Sequence, residues 1–220
     1  VFLSLWAFFW KWAPAGQKSL FEQVAARQRL SSYYLERRNG MLLLGVAAFF
    51  LFFLYDACEL RPHQTWMSFL FPVGCLLLVA ATIGQVAPFS PLLPHPSVRI
   101  FFGLLGIGAF FLLLWALFFS FPKEEGYTQT GEKRPVFTGG QYRFCRHPGV
   151  WWMAVLLFCL CPSVGLPYTA AALYSILNVF LALFEDRIIF PRVLTGYETY
   201  CQHTPFLIPR WRSSRHPNES

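Results

Sequence analysis

Charge is the scarcest commodity in this chain. Only 13% of its 220 residues are Asp, Glu, Lys or Arg, about half the roughly 25% typical of a soluble domain. The scarcity is organised. No charged residue falls between Asn39 and Tyr55, between Pro62 and Val98, between Ile100 and Pro122, or between Pro148 and Phe184. Zinc-type cysteine pairs are missing as well: Cys159 and Cys161 are separated by one residue rather than two, so no metal site is expected. Cys58, Cys75, Cys159 and Cys161 lie in or beside the apolar runs, where a free thiol behaves as a small hydrophobe. The period-two alternation of a membrane barrel is absent. So is any basic patch of a folded domain. The net charge of +7 therefore does not point to nucleic acid. The cations lie between and after the apolar runs, where anionic headgroups are the expected partner.

What is present is a series of runs rich in Leu, Phe, Val and Ala. A helix needs about 20 apolar residues to span a bilayer, and in lipid it must satisfy its own backbone hydrogen bonds. The expected spans are 41–57, 66–87, 98–121, 149–161 and 166–186. Val1–Trp12 reads as one more span, or the remnant of one at a truncated start without an initiator Met. A signal peptide would need a small-residue cleavage site after the apolar stretch; Trp10-Lys11-Trp12 looks more like an interfacial anchor. Pro162–Pro167 reads as a turn. It folds the last two spans into a helical hairpin whose ends lie on one side. The expected fold class is all-α, a multi-span transmembrane helical bundle of five to six spans with a C-terminal helical hairpin. Residues 1–134 hold the N-terminal transmembrane helices and connecting loops, and 211–220 form a tail.

The basic residues give conflicting topology signals. Lys123, Lys133, Arg134, Arg143 and Arg146 share a face with Arg187, Arg192, Arg210, Arg212 and Arg215 if the hairpin forms, and the positive-inside rule makes that face cytoplasmic. Lys11, Lys18, Arg27, Arg29, Arg37 and Arg38 then fall three spans away, on the outer face. Either residues 17–38 form an amphipathic surface helix, with Leu20, Phe21, Val24, Ala25 and Gln28 at helical spacing, or one span is re-entrant, as Pro72 and the cluster Pro88, Pro91, Pro94 and Pro96 would allow.

The chemistry concentrates at the two ends of the hairpin. Arg146-His147-Pro148 opens an uncharged helix, where Pro is ordinary and unpaired N–H groups favour an anion. An interfacial anchor is the plain alternative. Cys145, between Arg143 and Arg146, is either an inert thiol or a reactive one with its thiolate favoured. Glu185 and Asp186 end the next span. Carboxylates there are unfavourable for the helix dipole and functional by default near hydrocarbon. Adjacent positions point about 100° apart, so one is expected to face a pocket while the other pairs with Arg187 or Arg192. Tyr197 and Tyr200 share a helix face, as ring walls or as part of an aromatic belt.

Together these residues resemble the isoprenylcysteine carboxyl methyltransferase and phospholipid methyltransferase superfamily of integral membrane enzymes. Gly140, Tyr142, Arg143, Arg146, His147, Pro148, Glu185, Asp186, Tyr197, Tyr200, Pro205, Ile208 and Pro209 match its pattern. The resemblance covers about residues 135–210 and marks them as a methyltransferase-like, cofactor-binding region. It implies S-adenosyl-L-methionine in a cup on the cytoplasmic face, and a lipophilic substrate entering from the bilayer. Gln141, Tyr142, Arg146, His147 and Pro148 would border the cofactor from one side, and Glu185, Asp186, Tyr197 and Tyr200 from the other. The Arg146 side chain and the helix-start N–H groups would take its carboxylate. Glu185, Arg187 and Arg143 are the candidate catalytic residues: a cation for a carboxylate or thiolate acceptor, Glu185 or His147 as base for an amine. Three departures stand out: Gly149-Val150-Trp151-Trp152 where the family often has Tyr, Glu-Asp rather than Glu-Glu, and a shortened segment containing Pro191. Two other readings are a membrane NADPH-dependent reductase like the sterol reductases, and a scaffold of this fold without catalysis.

Overall fold

The computed structural model describes residues 15–60, 65–86, 94–119 and 134–208. The expected span or remnant at Val1–Trp12 lies outside them, as do Pro88, Pro91, Pro209, Lys123, Lys133, Arg210, Arg212 and Arg215. The chain divides into two compact units, Val1–Met41 and Leu42–Ser220. Helix α1, Ala15–Cys58, crosses that boundary. In the first unit every described residue is helical, including 17–38.

The described residues are mostly helical. After α1 come a 3-10 turn at Thr65–Phe69 and α2 at Leu70–Gln85. Helix α3 is Pro96–Leu114 and ends in a widened π-turn at Trp115–Phe119. Helices α4, Pro148–Val164, and α5, Tyr168–Phe184, follow. A second π-turn spans Glu185–Ile189 and leads into α6, Phe190–Val193. The last helix is α7, Tyr197–His203. Among the described residues three helices are long and apolar enough to cross a membrane: Ser32–Cys58, Met67–Gln85 and Pro96–Phe118. Large apolar side chains such as Leu76, Ile83, Leu104 and Phe111 point outward from them, as lipid-facing surfaces require.

The boundaries differ from expectation where proline misled. Pro162, Ser163 and Val164 belong to α4, and the turn shrinks to 165–167. Proline removes one helical N–H, but the helix continues until Gly165, at φ 83°, supplies a left-handed cap. Its N–H donates to Cys161 O and that of Leu166 to Leu160 O. Pro72 lies inside the first turn of α2, where it breaks nothing. Pro96 opens α3, capped by the His95 side chain, which accepts from the Ser97 N–H.

The core lies where α1, α2, α4 and α5 meet. Phe49, Phe52, Leu157, Ala170, Ala171 and Tyr174 are buried together there, and small residues let the helices approach. At Gly45 an added Cβ would lie 2.1 Å from the Tyr174 hydroxyl. That hydroxyl receives a bond from Gln85 at 2.7 Å and donates to Leu42 O at 3.4 Å, a polar tie linking three helices inside the apolar layer. Helix α3 packs on the other side of α4: Arg99 reaches Ser163, Gly106 meets Cys159 and Leu113 meets Gly149. The falling partner numbers make the two antiparallel.

Against the all-α expectation the described residues include one short parallel bridge. β1, Arg134–Pro135, pairs with β2, Leu194–Thr195. Val136 N–H adds a bond to Thr195 O.

Candidate functional site

The site lies where the start of α4, the end of α5 and the segment after it converge. Arg146 is its hub. Its Nη2 donates to Asp186 Oδ2 at 3.1 Å, and its Nε lies 2.8 Å from Oδ1 but off the hydrogen-bond line. Its Nη1 donates to Cys201 O at 3.3 Å and its backbone N–H to Pro205 O at 3.0 Å. The pair is little exposed, 13% for Arg146 and 10% for Asp186. Asp186 thus pairs with Arg146, not with Arg187 or Arg192 as expected. Both of those are exposed, because the π-turn changes the angular spacing that a regular helix would give.

His147, buried, sits between the two acids. Nδ1 lies 3.4 Å from Glu185 Oε2 and Nε2 3.4 Å from Asp186 Oδ1. Its ring stacks on Phe190 at 5.6 Å and 8°, and meets the edge of Phe206. Tyr197 donates to Asp186 Oδ1 at 2.5 Å, and Tyr200 to Tyr142 O at 2.5 Å. The Tyr142 hydroxyl donates to Ala116 O, in the widened turn of α3. Both site tyrosines of α7 are buried and their hydroxyls are tied inward. They act as walls of the cluster rather than as free donors. Gln141 is also tied: its oxygen accepts from Trp152 Nε1 at 2.6 Å and its amide reaches Leu112 O at 3.5 Å. Trp151 Nε1 donates to Leu207 O at 2.8 Å. Trp151 and Trp152 thus fasten α4 to the loop before it and to the segment after α7.

The geometry narrows two of these readings. With Asp186, Cys201 O and Pro205 O as partners, Arg146 is a clasp within the protein, not an open anion site. Cys145 is buried and burial pushes its thiol up, only partly opposed by a backbone hydrogen bond from His147, which favours the inert thiol of the two alternatives. Arg143 is exposed and lies over the Phe144 ring at 5.1 Å. The structure therefore brings Tyr142, Arg146, His147, Glu185, Asp186, Tyr197 and Tyr200 together. Arg143 and Arg187 remain at the surface. Pro148 is the buried first residue of α4.

Sequence reasoning missed the far wall. Asp56, two residues before the end of α1, faces Glu185, with Glu59 nearby. Its Oδ2 is buried without a hydrogen-bond partner among the described residues, while Glu59 pairs with Arg134 at 3.2 Å. The signal was available: Asp56 ends a charge-free run just as Glu185 does, and the same argument about acids beside hydrocarbon applies to it. No group of His, Cys, Asp and Glu among the described residues is arranged to hold a metal.

The His147–Asp186 contact sets a pH dependence. Burial pulls the imidazole down, but the close approach of the Asp186 and Glu185 carboxyl groups and their negative charge outweigh it and raise it above 6.5. Burial pushes the Asp186 carboxyl up, and His147, Tyr197 and Arg146 more than offset it, leaving it below 3.8. A raised histidine stabilises fully below its unfolded value and loses that contribution as pH rises through the folded value. A lowered aspartate stabilises above its unfolded value and loses that as pH falls through the folded one. Stability from the pair is thus greatest between 3.8 and 6.5. Melting of the purified protein should fall as pH is raised above 6.5, and His147→Gln should flatten that limb. A wild-type melting curve that is level across the same range would contradict the arrangement.

No family model, curated protein or solved structure matches the chain.

Proposed function

We propose that this chain is an integral membrane S-adenosyl-L-methionine-dependent methyltransferase, similar to the isoprenylcysteine carboxyl and phospholipid methyltransferases, acting on a lipophilic or small membrane-accessible acceptor. The observation that carries the reading is the contact of Arg146-His147 with Glu185-Asp186, at one end of helices that include three of membrane length. In this reading five helices cross the bilayer and α4 and α5 form the hairpin. Residues 135–210 make the cofactor cup. It opens to the cytoplasm, where Arg134, Arg143, Arg146, Arg187 and Arg192 gather by the positive-inside rule.

The acidic half of the site suits such a cofactor. Glu185 and Asp56, whose carboxyl groups face each other, would hold hydroxyl or ammonium donors, and one negative charge shared between them favours a nearby cation. S-Adenosyl-L-methionine, when bound, supplies an electrophilic methyl group on a sulfonium. Arg146 acts as a positioning residue, holding Asp186 and the segment at Pro205 in place. Tyr142, Tyr197 and Tyr200 keep water out, and alignment in a dry pocket is what an in-line displacement needs most. For an amine acceptor Glu185 Oε2 or His147 would take the proton. For a carboxylate or thiolate acceptor, Arg143 and Arg187 are the cations at hand.

Calorimetric titration tests the assignment. S-Adenosylhomocysteine should bind and NADPH should not; the reverse would favour the reductase reading. Glu185→Gln should weaken S-adenosylhomocysteine at least tenfold. It removes one of two facing carboxylates, so folding should not suffer. Unchanged binding in that variant would end the role given to Glu185. The inward ties of Arg146, Gln141, Tyr197 and Tyr200 favour a second reading, a scaffold without catalysis. Membranes incubated with labelled methyl donor separate the two, since only the enzyme yields a labelled lipid-extractable product.

A further inference from the structure

A second feature lies at the opposite end of α3 and α4 and owes nothing to the methyltransferase reading. An apolar groove of about 180 Å³ runs between these helices, lined by Phe102, Gly103, Gly106, Phe110, Leu156 and Leu160 among others. Its only polar side chain is Ser163, whose hydroxyl is already donated to Cys159 O at 2.8 Å. Water filling such a space would lack the two to four polar partners it needs. The occupant must be apolar. Gly103 and Gly106 create the depth: a Cβ at Gly106 would meet Cys159 at 3.3 Å, while one at Gly103 would meet nothing closer than Ser163 at 4.0 Å.

Arg99 stands one helical turn before Phe102 and Gly103, at the groove's mouth. Its Nε donates to Ser163 O at 3.0 Å. Its two Nη groups find no protein acceptor among the described residues. The chain places no acid within reach in sequence either: residues 60–123 and 133–184 contain no Asp or Glu. The guanidinium, held by Nε and open at its Nη edge, matches the fork geometry of a phosphate. From Arg99 to Phe110 the stripe runs about 16 Å along the helix, into the apolar layer. A cation at the membrane boundary with an apolar trough below it matches the two halves of one molecule.

We propose that the α3–α4 groove is a binding site for a single glycerophospholipid, with its phosphodiester on the Nη groups of Arg99 and one acyl chain lying over Gly103 and Gly106. Native mass spectrometry of the purified full chain, delipidated and then titrated with phosphatidylglycerol or with a diacylglycerol of the same chains, tests it. Wild type should retain one phosphatidylglycerol and retain diacylglycerol at least tenfold less. Arg99→Gln should lower phosphatidylglycerol retention about tenfold, and Arg99→Lys should restore part of it. Gly103→Leu, which fills the groove with little crowding, should abolish retention while leaving the melting temperature unchanged or higher. Leu76→Ala, a lipid-facing change on α2, is the control and should have no effect. Equal retention of both lipids, or unchanged retention in Arg99→Gln and Gly103→Leu together, would overturn the proposal. So would an equal loss in Leu76→Ala.

Discussion

Arg146→Ala should destabilise the second unit by about 3 kcal/mol or more, the loss expected when one partner of a mostly buried ion pair is removed. Several groups are stranded at once. Asp186 loses its cation, Cys201 O loses a donor, and His147 is left between two acids. Arg146→Lys should recover only a fraction, because a single ammonium cannot reach Asp186 and the Cys201 carbonyl with the same fork. Thermal melting in detergent, followed by tryptophan fluorescence, reads the change. Trp151 and Trp152 are fastened to the segments Arg146 holds, so their emission should report the loosening directly. A melting temperature within one or two degrees of wild type for Arg146→Ala would mean that the clasp carries no weight.

The second large effect is expected far from the polar cluster. Gly45→Leu should prevent α1 from seating against α5, with a loss of several kcal/mol. Even a Cβ would fall 2.1 Å from the Tyr174 hydroxyl and 2.2 Å from its ring carbon, and Tyr174 is completely buried. It cannot swing aside without surrendering its bonds with Gln85 and Leu42. Overpacking of this kind exceeds the usual 1–3 kcal/mol when the neighbour is pinned. Gly40→Leu, where the surroundings are empty, is the matched control. Expression of folded, monodisperse protein should collapse for Gly45→Leu and persist for Gly40→Leu. Tyr174→Phe should not rescue Gly45→Ala, because the ring carbons that crowd the added methyl remain when the hydroxyl is removed; Tyr174→Ala, which removes the ring, should bring the double variant closer to Tyr174→Ala alone.

Much of this was legible before the structure, and the reasons are physical. Segregated charge marks apolar helices reliably, because an unpaired charge in hydrocarbon is so unfavourable; the run at 62–98 contains the membrane-length helix Met67–Gln85, and those at 39–55 and 100–122 form most of Ser32–Cys58 and Pro96–Phe118. Arg146 and Glu185–Asp186 could be expected to meet, since 148–184 carries nothing that could stop in water. The helix ends were less legible. Pro162 looks like a stop but is tolerated when Gly165 caps three residues later. The bridge of Arg134–Pro135 with Leu194–Thr195 has no periodicity to detect, as two residues cannot alternate. The inward engagement of Arg146 was hidden for another reason. Its partners at Cys201 and Pro205 are backbone carbonyls, which every residue offers and no sequence advertises. Asp56 was overlooked although the rule that singled out Glu185 covers it equally.

The π-turn at Glu185–Ile189 has a consequence for how this region tolerates change in length. A turn of this kind holds one residue more than a regular helix would need. Deleting Ile188 would remove that surplus and let α5 run on with ordinary geometry, so Phe190 would keep roughly its direction toward the His147 ring. The same deletion in the regular part of α5 would instead rotate everything beyond it by about 100°. The wide turn is therefore a slack link, the one place in this segment where a single codon's loss leaves the aim of the closing segment intact.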